Sequence, residues 1–222
     1  MAPREPRAAP AVAEENTREK ILEAAGEVFA DQGFEGATIR AITERAGVNV
    51  AAVNYHFRDK AELYNRVVLD ACSVSAAMQK TMAEAVGSPE ARLRSLVYHF
   101  MEYLLDPTRP DWRRKLKARE MANPTAALDE LVEKNLRPLR EEFLLPTLGE
   151  LTGGCFSRKE LSYIASSVMS QCLYFLQYQP IIERLNPDYY TPGKWNIEEI
   201  ADHVTRFSLA ALRELTRQAR RS

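Results

Sequence analysis

"GVNVAAVNYHFRDKAEL", residues 47–63, sets a glycine before a run of small residues, then Asn54, Tyr55 and His56, then an ordinary amphipathic pattern. Asn49 is suited to cap a helix over residues 50–56, and Asp59 to cap the helix that follows, which carries Leu63, Tyr64, Val67 and Val68. Upstream, Thr38 can cap a short helix whose Ile42 and Ala46 face inward and which Gly47 ends. Before that, Ile21, Leu22, Ala25, Val28 and Phe29 recur at helical spacing from Thr17 to a stop at Gly33. Two helices joined by a short turn containing glycine make a helix-turn-helix unit, whose second helix lies in the major groove of DNA.

The residue types on the third helix match that use. Ala51 and Ala52 have no bulk, which permits close approach to the groove wall and contact with thymine methyls, while Asn49 and Asn54 can bond base edges or phosphates. Arg40 can reach a guanine edge or a phosphate, and Tyr55, His56 and Lys60 can bond the backbone. Lys60 also lies near a helix N-terminus, where main-chain N–H groups favour phosphate. Residues 37–60 hold four cations (Arg40, Arg45, Arg58, Lys60) against two acids (Glu44, Asp59), a net of +2. Spacing alone leaves a second reading open, a helical bundle with Tyr55 and Phe57 as core aromatics and His56 as a satisfied polar residue.

Outward from this stretch, helix signals repeat and strand patterns are nearly absent. Helices are expected over about 89–105, 110–122, 125–151, 157–184 and 196–220, with Pro138 and Pro146 kinking or splitting the third of these. The fold class is therefore all-α, a small N-terminal module joined to a larger helical body. Residues 1–15, rich in Ala, Pro, Arg and Glu, read as a disordered tail without a secretory signal's apolar core. The formal charge of the 222-residue chain is −1, so a nucleic-acid partner has to be argued locally. Cys72, Cys155 and Cys172 lack paired spacing and sit among apolar or small residues, which predicts reduced, buried thiols in a cytoplasmic protein. Gln171, Gln177, Gln179 and Pro180 interrupt the most apolar region, so no membrane span is expected.

"TREKILEAAGEVFADQGFEGATIRAITERAGVNVAAVNYHFRDKAELYNRVV", residues 17–68, resembles the DNA-binding domain of the TetR family of transcriptional regulators. The shared features are Thr-Arg-x-x-Ile-Leu-x-Ala-Ala, Phe29 before Gly33-Phe34, Thr38-Ile39-Arg40, Ala46-Gly47-Val48, and Tyr55-His56-Phe57 followed by Lys60. The resemblance implies a DNA-binding domain over 16–68 and a ligand-binding and dimerisation domain over 69–222. It implies that Thr38, Arg40, Asn49, Val50, Ala51, Ala52, Asn54, Tyr55, His56 and Lys60 face double-stranded DNA, a palindromic operator, with Tyr55 and Lys60 as the phosphate anchors. Asn54 stands where many members carry Tyr, and Val50 where Lys or a polar residue is common, so these departures leave no relative from which to borrow the base sequence read.

Ile197, Ile200, Ala201, Val204, Phe207, Ala211, Leu212 and Leu215 form one apolar stripe. Ile164, Val168, Cys172, Phe175 and Leu176 form another, widened by Met169, Leu173 and Tyr174. Together they exceed one core's needs and predict a homodimer through the last two helices. "AREMANPTAALDELV" and "SSVMSQCLYFLQYQPII" resemble the TetR-like subgroup linked with sensitivity to cefoperazone and chloramphenicol. The family's body usually encloses a pocket for a small-molecule effector. Its candidate lining here is Tyr98, Met101, Tyr103, Trp112, Glu120, Met121, Met169, Gln171, Phe175 and Tyr178, aromatics and Met with a few polar groups. "WRRKLKARE", residues 112–120, reads as a solvated charged face, and the arginines of 213–221 as cations complementing a helix C-terminus.

His56, His99 and His203 are scattered, no Cys-His spacing suits zinc, and no glycine-rich phosphate loop occurs, so neither a catalytic site, a metal nor a cofactor is expected. The reading is a homodimeric, ligand-responsive repressor. Its rival is a helical adaptor that does not bind specific DNA.

Overall fold

The computed structural model describes residues 10–72, 87–106, 108–190 and 195–221, and every regular element among them is helical. They fall into two compact units, residues up to 73 with 109–134, and residues 74–108 with 135–222.

The first unit begins with α1 (Pro10–Gly36), whose helical path is broken at Gly33 by a left-handed φ of 75°. The expected stop at Gly33 is therefore present. The expected start is not: residues 10–15 are helical rather than tail, because proline is tolerated in a first turn and Ala-Val-Ala-Glu-Glu propagates it. Residues 1–9 of that tail lie outside the described residues.

Next come α2 (Ile39–Ala46), α3 (Val50–His56) and α4 (Lys60–Cys72). Thr38 Oγ1 accepts from the Ala41 N–H at 3.1 Å, Asn49 Oδ1 from Ala52 at 2.8 Å and Asp59 Oδ1 from Glu62 at 2.8 Å, so all three expected caps form. Gly47, at φ 66°, ends α2 in the left-handed conformation a side chain would resist. Ile21, Val28 and Phe29 of α1 close a core with Ile42, Val53, Leu63 and Val67, each side chain contributing roughly 1.5–3 kcal/mol by leaving water.

The division expected at 68/69 is not where the packing divides. Helices α6 (Asp111–Ala122) and α7 (Ala126–Leu131) return to this core. Trp112 lies against Gly26, where even a methyl group would come within 2.6 Å of the indole, and its Nε1–H donates to Glu23 at 2.6 Å. Arg113 pairs with Asp70 at 2.7 Å. Glu120, wholly buried, accepts from the Tyr64 hydroxyl at 2.6 Å and from the Thr125 N–H and hydroxyl at 2.8 and 3.0 Å. Burial, reinforced by that carboxylate, holds the Tyr64 phenol well above the ordinary tyrosine range, so it stays a donor.

The second unit contains α5 (Pro89–Leu105), α8 (Leu145–Leu151), α9 (Arg158–Gln177), α10 (Gln179–Leu185) and α11 (Ile197–Ala219). The proline kink expected in 125–151 takes the form of π-helical stretches, Val132–Leu136 and Leu139–Leu144, on either side of Pro138. The single helix expected over 157–184 is two, because Pro180 has no N–H to continue α9 and instead opens α10. Leu93, Val97, Met101, Leu148, Val168, Cys172, Val204 and Leu212 form its core. Burial pushes the Cys172 thiol up to about 12. Cys155 departs from the expectation of buried thiols, since it is exposed in the turn after Gly153-Gly154. No described helix is long and apolar enough to cross a membrane.

Candidate DNA-binding surface

Nine of the ten expected DNA-facing residues lie on or at the caps of α2 and α3, with graded exposure, and the tenth, Lys60, opens α4. Val50 is 48% and Tyr55 73% exposed, although both are large and apolar in body; nothing within the described chain covers them. Thr38, Arg40, Asn49, Ala51 and Asn54 are exposed, whereas Ala52, His56 and Lys60 are half-buried. Val53 and Phe57 are buried and hold α3 down, so the small-residue face of the helix is left outward by construction. The bundle alternative that made Tyr55 a core aromatic fails on its exposure; Phe57 does take that role.

The charges of this surface were not legible from composition. Arg40 Nε–H donates to Glu44 at 2.8 Å, Arg58 pairs with Asp59 at 3.3 Å, and Arg45 reaches back to Glu27 of α1 at 2.6 Å. Lys60 Nζ donates to the carbonyls of Phe34 and Ala37 at 2.8 and 3.1 Å and lies 4.6 Å from the Phe34 ring centre. Lys60 thus fastens the start of α4 to the connection between α1 and α2, and two of its three protons serve that tie rather than a phosphate. Glu27 was missed as part of the surface, and Glu44 entered only the charge count, without its partner. Only Glu44 had a local signal, its four-residue spacing from Arg40.

The ten expected pocket residues divide between the units. Trp112, Glu120 and Met121 belong to the first, where Trp112 and Glu120 are held by the core partners already named and Met121 is 55% exposed. The other seven belong to the second. Met101 is buried in its core, with Tyr98, Met169 and Phe175 packed against the same cluster, while Tyr103 is buried apart from it. Gln171 Nε2 donates to Ser208 of α11 at 3.2 Å, and Tyr178 stacks on Tyr174 with ring centres 5.1 Å apart. Trp195 and Tyr190, which the sequence reading passed over, join Phe175 in this aromatic group. Two open grooves of about 480 and 470 Å³ run along α11, lined chiefly by Arg213, Arg217, Arg220 and Arg221 in one and His203, Arg206 and Phe207 in the other, and contain none of the ten.

Comparison with known proteins gives the family. The model of the bacterial regulatory proteins of the tetR family matches residues 21–67, and that of the HTH-type transcriptional dual regulator CecR, C-terminal domain, matches residues 89–212. The chain belongs to the TetR family, with a CecR-type C-terminal domain. Both matching families are of transcriptional regulators. The repressor AcnR of Corynebacterium efficiens is 35% identical over 97 residues, which cover 44% of this chain and 45% of that protein. The regulator AcrR of Shigella flexneri is 29% identical over 89 residues, covering 40% and 41%. Each match spans less than half of the relative's length. Among solved structures, a transcriptional regulator of Pseudomonas aeruginosa PAO1 superposes with a TM-score of 0.66 at 21% identity, over 94% of this chain and 96% of that one. FadR of Bacillus subtilis in complex with stearoyl-CoA superposes with a TM-score of 0.62 at 13% identity, over 86% and 97%. At these identities the two structures establish the fold of this TetR-family chain.

Proposed function

We propose that the protein is a homodimeric repressor that binds a palindromic operator through α2 and α3 and leaves it when a small molecule binds the second unit. The observation that carries this reading is the outward face of α3, where Val50, Ala51, Asn54 and Tyr55 stand exposed on a helix pinned from behind by Val53 and Phe57. Two copies of α3 would enter successive major grooves about 34 to 36 Å apart, or a multiple of that spacing.

Dimerisation is supported by the split of the α11 stripe. Ile200, Ala201, Val204 and Leu212 turn into the core, while Phe207, Ala211 and Leu215, four residues apart, turn outward, with Phe207 60% exposed. On α9, Leu173 and Tyr174 are likewise exposed. Pairing these faces across a two-fold axis would bury them in a four-helix bundle. Phe207→Asp should therefore yield a folded monomer by light scattering. We assign the effector to the group of Tyr98, Met101, Tyr103, Met169, Gln171, Phe175 and Tyr178. Its binding would act by favouring a conformation in which α4 holds the two reading heads at the wrong spacing.

The test is selection from a random duplex library with the purified protein at fixed salt, beside an Asn54→Ala, Tyr55→Ala double variant. Both side chains are exposed, so the variant should melt as wild type does. An enriched palindrome that the variant does not enrich is the expected result. A folded dimer that enriches nothing would refute the reading.

A further inference from the structure

We propose that Glu44 is a positioning residue that makes Arg40 a reader of guanine rather than an anchor for phosphate, an assignment that rests on the operator-binding reading above. Arg40 Nε–H is donated to Glu44 Oε1 at 2.8 Å, and the two side chains are 86% and 65% exposed. A guanidinium carries five N–H groups. With the Nε proton engaged, both terminal nitrogens stay free and the plane of the group is fixed. Those terminal nitrogens form the fork that matches O6 and N7 of guanine in the major groove. The pairing also changes what Arg40 prefers. A phosphate seeks net positive charge, which the adjacent carboxylate cancels, whereas a base edge seeks donors in a set geometry, which the carboxylate preserves.

The pair is not explained by the stability of α2. Arg40 stands in the first turn and Glu44 in the C-terminal half, which opposes the helix dipole at both ends, and Arg before Glu is the weaker order for a four-residue pair. Nor is it a tie to the core, since Ile42 and Thr43 are the buried residues of α2 and, among the described residues, neither Arg40 nor Glu44 bonds another element. Arg45, held to Glu27 of α1, is such a tie, and the contrast between two arginines five residues apart assigns them different work.

The experiment compares wild type, Glu44→Gln, Arg40→Ala and the double variant in the same library selection, then by titration of the selected duplex and its single-base substitutions at several salt concentrations. Wild type should demand guanine at one position of each half-site. Arg40→Ala should lose that demand, and Glu44→Gln should lose most of it, with discrimination at that position falling at least fivefold. Glu44→Gln should also bind mismatched duplex more tightly and steepen the salt dependence by about two for the dimer, as one arginine per subunit turns to a phosphate. In the Arg40→Ala background, Glu44→Gln should no longer alter base preference. A wild-type preference profile retained by Glu44→Gln would overturn the assignment, as would an Arg40→Ala variant weakened equally on all sequences. Wild-type protein that selects no sequence would overturn the operator reading as well, so the two failures are distinguishable. Unchanged melting temperatures would confirm that neither substitution acts through folding.

Discussion

Replacing Glu120 with alanine tests the claim that this buried carboxylate belongs to the fold of the first unit. The side chain is fully buried and accepts three hydrogen bonds, from the Tyr64 hydroxyl at 2.6 Å and from the N–H and hydroxyl of Thr125, the cap of α7, at 2.8 and 3.0 Å. Alanine leaves the Tyr64 hydroxyl, itself buried, without an acceptor, which costs about 1–3 kcal/mol, and removes charge-assisted bonds at the start of α7 worth about 1.5–3 kcal/mol. With incomplete collapse of the vacated space, the expected loss is about 4 kcal/mol. Glutamine should lose about 1 kcal/mol, because its carbonyl can still accept from Thr125 while its amide donates to the Tyr64 oxygen. Tyr64→Phe should fall between, near 2 kcal/mol, the value of one bond to a charged acceptor.

The chain has two tryptophans, one in each unit, so a Trp195→Phe background lets Trp112 report on the first unit alone in guanidinium denaturation. The reasoning fails if alanine costs under about 1 kcal/mol, or if glutamine is as damaging as alanine. The second outcome would mean that the charge itself is needed, as it would be for a ligand.

Gly26→Ala should destabilise by about 1–2 kcal/mol in thermal melts, since a clash at 2.6 Å with the Trp112 ring outweighs the roughly 1 kcal/mol that alanine adds to a helix. In a Trp112→Leu background the same change should be neutral or stabilising. Asn49→Ala should lose about 1 kcal/mol with the α3 cap, whereas Asn49→Asp should keep the cap and its stability but weaken DNA binding by placing a negative charge toward the phosphates. Burial, with the neighbouring cations Arg109 and Arg113, lowers the Lys117 ammonium from 10.5 to about 8, so from about pH 8 upward the unfolded chain holds a proton that the folded chain releases, and stability rises with pH. Wild type should therefore gain on Lys117→Met between pH 7 and pH 9 in chemical denaturation, and parallel stability curves would remove the basis for that shift.

What could be read in the sequence was local. The caps at Thr38, Asn49 and Asp59 and the stops at Gly33 and Gly47 each depend on residues within one turn, and all five form. Residue type also singled out Ala51, Ala52 and Asn54 on α3 as suited to a groove, whereas Phe57 was read as a core aromatic only in the rival bundle reading. The state of the charges could not be read that way. Arg45 finds Glu27 across 18 residues, and Lys60 finds Phe34 and Ala37 across 26 and 23, distances over which no periodicity carries information. Pro138 was recognised as a breaker and Pro180 was not, since the latter sits in an apolar run that otherwise continues α9. The return of 109–134 to the first unit left no trace in the motif, which stops where its own helices stop.

That return makes the first unit discontinuous along the chain. A cut after residue 73 would strip it of Trp112, Leu116 and Glu120, leaving the Gly26 groove empty and the Tyr64 hydroxyl bare. The reading head is therefore not a detachable cassette, and a chimera that borrows it from this protein must borrow two segments, not one. By the same logic, substitutions that drift into 109–134 fall on the unit that carries the helix-turn-helix, however far they lie from its motif in the linear sequence.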